Sequence, residues 1–196
     1  MISIRFVAIF YTLMGGLGWA LATYLLDLDP FVWKGIEIEP TRDAAVGVVV
    51  GLVTVVTSNL LERWAEWARR LSAAFRDTLG EMKLPQILAL AVFSSVGEEL
   101  LFRGFLQQGI SEHLLSGEFA RPGGLVLSSI IFGALHVGPD WKTFWPWTVM
   151  AIVMGGAFGL MFQLTGNLLA PILAHFTINF LNLIAIMNNK PSEDSE

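Results

Sequence analysis

The stretch LPQILALAVFSSVGEELLFRGFL, Leu84–Leu106, decides how this chain is read. It is long and apolar enough to cross a bilayer as a helix of about 20 residues, yet it carries Glu98, Glu99 and Arg103. A charged side chain at the centre of a spanning helix costs roughly 2.5–3.5 kcal/mol on insertion scales, so three in one span demand a reason, and function is the default one. Glu99 and Arg103 stand four residues apart, on one helical face, where they can pair. Glu98 points about 100° away from Glu99. A desolvated carboxylate with no local cation is shifted towards neutral pKa, which suits a general base.

Outward from this stretch the chain keeps the same character. Of its 196 residues, 54% are hydrophobic and 15% charged, with mean hydropathy +0.61; soluble domains carry roughly 25% charged residues. Six apolar runs read as spans: Ile2–Leu26, Ala44–Leu61, Leu84–Leu106, Gly124–Val137, Trp147–Leu164 and Leu168–Met187. The fourth is short and can extend through Trp141 to Trp145, aromatic residues that suit a membrane interface. The first is long enough to span and is read as a retained helix rather than a cleaved leader. The expected fold is all-α: a polytopic membrane helix bundle of about six transmembrane helices, forming one domain over residues 1–196.

Between the second and third runs, Glu62–Lys83 interleaves five Lys or Arg residues with Trp64, Trp67, Leu71 and Phe75 at three- and four-residue steps. That pattern predicts an amphipathic helix lying in the interface. Its basic character also predicts orientation, because cytoplasmic loops accumulate Lys and Arg. With six spans both termini are then cytoplasmic. The formal net charge of -5 comes largely from Asp27–Asp43 and the tail Ser192–Glu196, and gives nucleic-acid binding no support. There is no Cys, so thiolate metal ligands and cysteine nucleophiles are excluded.

Two further runs carry polar groups. The fourth contains Phe132 one turn before His136, and the sixth contains His175 and Asn179, four apart and on one face. His113 falls in the polar loop Gln107–Arg121 and is read as solvated. Counting about 1.5 Å per helical residue puts Glu98, His175 and Asn179 at similar depths; His136 agrees only if its helix starts later than Gly124. Gly155, Gly156 and Gly159 either line a cavity or allow close helix packing.

The three blocks, EELLFR at Glu98–Arg103, FGALH at Phe132–His136 and HFTIN at His175–Asn179, resemble the CAAX protease and bacteriocin-processing family of intramembrane glutamate proteases, which includes the type II CAAX prenyl endopeptidase. The resemblance covers about Leu84–Met187; the last position is Asn, where family members have Asn or Asp, and the chain is short for the family. It implies a membrane endopeptidase in which Glu98 and His136 activate water, Glu99 and Arg103 hold Glu98, and His175 and Asn179 donate to the oxyanion. The small helix set suggests a small substrate cavity. No cofactor is expected.

Rival readings are a zinc hydrolase with Glu98, His136 and His175 as ligands, a non-catalytic bacteriocin-immunity or scaffold protein, and a proton-coupled transporter. HExxH is missing, and no internal repeat supports a transporter. The expected partners are membrane lipid and a membrane-associated protein or peptide substrate, and the expected location is a prokaryotic cell (inner) membrane.

Overall fold

A computed structural model describes residues 3–188 of the chain; the acidic tail at 192–196 lies outside the described residues. Among the described residues seven α-helices form the bundle: α1 (Ile4–Ala20, continued by a π-helical turn Leu21–Leu25), α2 (Pro40–Trp64), α3 (Glu66–Leu79), α4 (Leu84–Glu99), α5 (Ala120–Ala134), α6 (Trp141–Thr165) and α7 (Leu169–Asn188). From Leu100 to Leu114 the α4 axis runs on, mostly as π-helix. Apart from one β-bridge, Val32 to Asn167, the described residues contain no β-structure.

Among the described residues, five helical stretches are long and apolar enough to span: Ile4–Leu25, Pro40–Trp64, Leu84–Leu114, Trp141–Thr165 and Leu169–Asn188. They expose apolar side chains outward, Phe6 and Leu13 on α1, Val49 and Val53 on α2, Val153 on α6, as lipid contact requires. This is an integral membrane helix bundle.

The expected fourth span is corrected. α5 has 15 residues, about 22 Å at 1.5 Å per residue, too short to cross alone. It does not continue through Trp141–Trp145, because Gly138 and Pro139 break the chain and Asp140 caps a new helix by accepting from the Lys142 and Thr143 amides. α6 therefore begins at Trp141, six residues before the expected span. The segment after Gln107 is likewise helical as far as Leu114, although His113 is exposed as expected.

The interfacial helix also differs in detail. Ala65 is extended and separates α2 from α3, so Trp64 ends α2 and is exposed instead of sharing a face with Trp67, Leu71 and Phe75. Leu71 is buried, and Phe75 stands edge-on to Phe144 and Trp147 of α6. Arg76 Nε donates to the Ile186 carbonyl at 2.8 Å. The apolar face of α3 thus roofs the bundle as much as it meets lipid.

α1 crosses α4 very closely: a Cβ on Gly15 would stand 3.0 Å from Gly97 Cα, and one on Gly18 2.7 Å from Leu101 Cα. Only glycine permits this approach. α2 packs along α7, and α4 lies between α1 and α7. At the far end the segment between α1 and α2 folds inward: Trp33 is buried against Phe162 and donates Nε1–H to Glu112 at 3.0 Å. Asp43, fully buried, is held by Arg42 and by Asn167 Nδ2 at 2.7 Å.

Candidate active site

Glu98 and Glu99 are the last residues of α4 before its π-helical continuation, which holds Arg103. Local π-helix widens the helical turn and is frequent at functional sites. Arg103 is buried and fully engaged at two nitrogens, Nη1 to Glu99 Oε1 at 3.0 Å and Nη2 to the Gly155 carbonyl at 3.0 Å. Its guanidinium also lies over the Phe132 ring at 4.6 Å and the Phe158 ring at 5.3 Å. The expected Glu99–Arg103 contact is present.

Glu99 Oε1 has a second partner, His175 Nδ1 at 2.8 Å. A carboxylate only accepts, so Nδ1 carries the proton and Nε2 is turned the other way. Phe158 stacks on the same imidazole, centroids 5.0 Å apart. The Glu99–Arg103 pair therefore holds His175 by a direct bond, where the resemblance implied that it holds Glu98.

His136 lies just beyond α5 in a turn closed by its own amide to the Gly133 carbonyl at 2.9 Å. Its Nδ1 is 2.7 Å from the Phe132 carbonyl, which again assigns the proton to Nδ1. Thr148 Oγ1 donates to the His136 carbonyl at 2.8 Å, and Trp147 packs edge-on against the ring. α5 starts at Ala120, before the expected Gly124, so His136 reaches Glu98 without the later start that the depth count required. Phe132 serves Arg103 with its ring and His136 with its carbonyl.

Glu98 Oε2 stands 3.6 Å from His136 Nε2 and 3.7 Å from His175 Nε2, with no direct hydrogen-bond partner of its own. These gaps are too long for hydrogen bonds and suit a bridging water, whose oxygen can lie about 2.8 Å from two such atoms. Asn179 Nδ2 donates to Ser94 Oγ at 3.1 Å with one of its two N–H groups, leaving the other available. Glu98, His136, His175 and Asn179 all line one cavity of about 680 Å³ with largely apolar walls. That volume is ordinary for a ligand site and not small as expected. Gly155, Gly156 and Gly159 are not among its walls; Gly155 lets α6 approach Ser129 and Phe132, and the Gly159 carbonyl accepts from Gln107.

The sequence reading missed Phe158 and Ser94. Both are ordinary residues in apolar runs, and only the packing of α4, α6 and α7 gives them a partner. Among the described residues no group of three His, Asp or Glu is disposed to enclose a metal ion.

The model of the type II CAAX prenyl endopeptidase Rce1-like family matches residues 80–181, which spans α4, the site histidines and Asn179. The chain belongs to the Rce1-like family. Rce1-like membership makes it a membrane endopeptidase of the CAAX protease type. The uncharacterized protein YpbD of Bacillus subtilis (strain 168) is 28% identical over 149 residues, 76% of this chain and 71% of that one. No solved structure matches the chain.

Proposed function

We propose that this Rce1-like chain hydrolyses a peptide bond near the terminus of a membrane-associated protein or peptide, using a water held between Glu98 and His136. The observation that carries the reading is that Glu98 Oε2 stands 3.6 Å from His136 Nε2 and 3.7 Å from His175 Nε2, with all three side chains lining one cavity. As the water oxygen attacks the carbonyl carbon, Glu98 takes its proton and His136 holds the second hydrogen. The carbonyl oxygen becomes an oxyanion, and the free N–H of Asn179 donates to it. When the C–N bond breaks, Glu98 returns the proton to the leaving amine. Glu99, fixed by Arg103, anchors His175 through Nδ1 and keeps its Nε2 turned towards Glu98.

The alternative to be separated is a zinc hydrolase with Glu98, His136 and His175 as ligands. The test is cleavage of a pool of synthetic membrane-associated peptides, prenylated and unprenylated, by purified protein in liposomes, followed by mass spectrometry and metal analysis. The expected result is hydrolysis at one position that survives chelation. Stoichiometric zinc lost together with activity would shift the mechanism to the metal, and no hydrolysis of any peptide would remove the peptidase reading for this pool.

The bacterial relative and the basic α3 support a prokaryotic cell membrane with α3 on the cytoplasmic side. Because the chain has no Cys, single cysteines introduced on α3 label cleanly; protection from an impermeant reagent in intact cells is expected, and labelling would reverse the orientation.

A further inference from the structure

The hydrolytic steps leave one polar side chain of the same cavity without a part. Asn182 lies three residues beyond Asn179 and seven beyond His175 on α7, so the three share one helical face, and all three line the cavity. One turn further along, the Ile186 carbonyl accepts from Arg76 of α3. Asn182 therefore stands between the site and the α3 roof. A polar group in a spanning helix, turned to largely apolar walls, is expensive without a use.

Ser58 of α2, which also lines the cavity, holds the oxygen of that carboxamide. Its hydroxyl is shared between the Val55 carbonyl of its own helix at 3.0 Å and Asn182 Oδ1 at 2.8 Å. With Oδ1 so engaged, Nδ2 carries two N–H groups, and among the described residues neither has a protein acceptor. A tie between α2 and α7 uses only the oxygen; the two donors exceed what the tie needs.

Side chains three apart on a helix stand about 5–6 Å from one another. Carbonyls along one edge of an extended chain recur at about 6.6 Å, two residues at about 3.3 Å each. The free N–H of Asn179 and those of Asn182, splayed slightly, thus reach two successive carbonyls on one edge of an extended peptide. With Asn179 on the scissile carbonyl, Asn182 meets the next one on that edge.

We propose that Asn182 is a substrate-binding residue: its Nδ2 donates to the main-chain carbonyl two residues from the scissile one, and the cavity takes its peptide as an extended apolar segment laid along α7 towards α3. The inference rests on the peptidase reading and names the form in which the substrate is bound. Recognition through a main-chain carbonyl leaves side-chain choice to the apolar walls, which include Leu71 and Phe75 of α3 and Ile178 of α7. Asn182 lies just beyond the matched residues 80–181.

Titration calorimetry in detergent tests the subsite without turnover, using Glu98→Gln protein and an acetylated, amidated hexapeptide of alternating Leu and Ala as the probe. Adding Asn182→Leu is expected to raise Kd about fivefold, the loss of one hydrogen bond, and Asn182→Gln, which keeps the amide donors, to recover most of it. Ser58→Ala removes the interhelical tie but leaves the amide, and its expected effect is under about twofold. Equal losses from Asn182→Leu and Ser58→Ala, an unchanged Kd in Asn182→Leu, or no binding of the probe would overturn the proposal. In the peptide-pool assay, Asn182→Leu raises KM by a similar factor with kcat within about twofold; a lowered kcat at native KM would overturn it. Should the wild-type protein cleave nothing, the hydrolytic reading fails while the titration still decides the subsite.

Discussion

At the scale of single residues, the two adjacent glutamates have different surroundings because neighbouring helical positions face different directions. Glu99 points into a shell of fixed donors, Arg103 and His175, whereas Glu98 points into the cavity. The presence of this polar group was legible in the sequence, since charges at Glu98, Glu99 and Arg103 have no cheap place in lipid. The pairing of Glu99 with Arg103 was legible too, from spacing alone. That Glu99 also bonds His175 was not, because the contact joins α4 to α7 across 76 residues and depends on how the two helices are rotated. Arg103→Ala tests the pairing. It leaves Glu99 buried with its cation gone and is expected to cost roughly 3–5 kcal/mol, the usual loss on breaking a buried ion pair, together with activity. An unfolding midpoint equal to that of the native protein would contradict it.

At the scale of elements, the sequence pattern located helices better than their ends. Hydropathy recognised the spans formed by α1, α2, α4, α6 and α7, because a bilayer imposes one length and one composition on them. It overextended α5, whose apolar run passes beyond Ala134 into the turn that carries His136. The helix stops there for local reasons: Gly138 and Pro139 do not continue it, and Asp140 starts the next one. Asp140 accepts from the Thr143 hydroxyl and from the Lys142 and Thr143 amides, and these donors hold its carboxyl below the usual carboxylate range. A carboxyl whose value is lowered on folding contributes stability above its ordinary range and loses it as pH falls through the lowered value. Asp140→Ala is therefore expected to lower the unfolding midpoint at neutral pH and to make little difference in strong acid. A penalty independent of pH would show that the cap acts without its charge. The separation of Trp64 from α3 has the same kind of origin, one extended residue, Ala65, that resets the helical phase.

At the scale of the whole molecule, the bundle brings together groups from α4, α7 and the turn after α5 around one cavity, with α3 across one end and the Trp33 segment packed at the other. The motif blocks announced which segments supply polar groups, and the resemblance they carried is to the family whose model matches residues 80–181. The close crossing of α1 and α4 had no signature, because a glycine in an apolar run is unremarkable until Gly97 is seen against Tyr11. The central claim is that Glu98 activates the attacking water. Its most direct test is turnover by Glu98→Gln in liposomes, with the unfolding midpoint measured on the same preparation. Removal of the base should lower the rate by about 10²–10⁴-fold while the protein stays folded. Peptide hydrolysis at the native rate by the folded variant would contradict the claim.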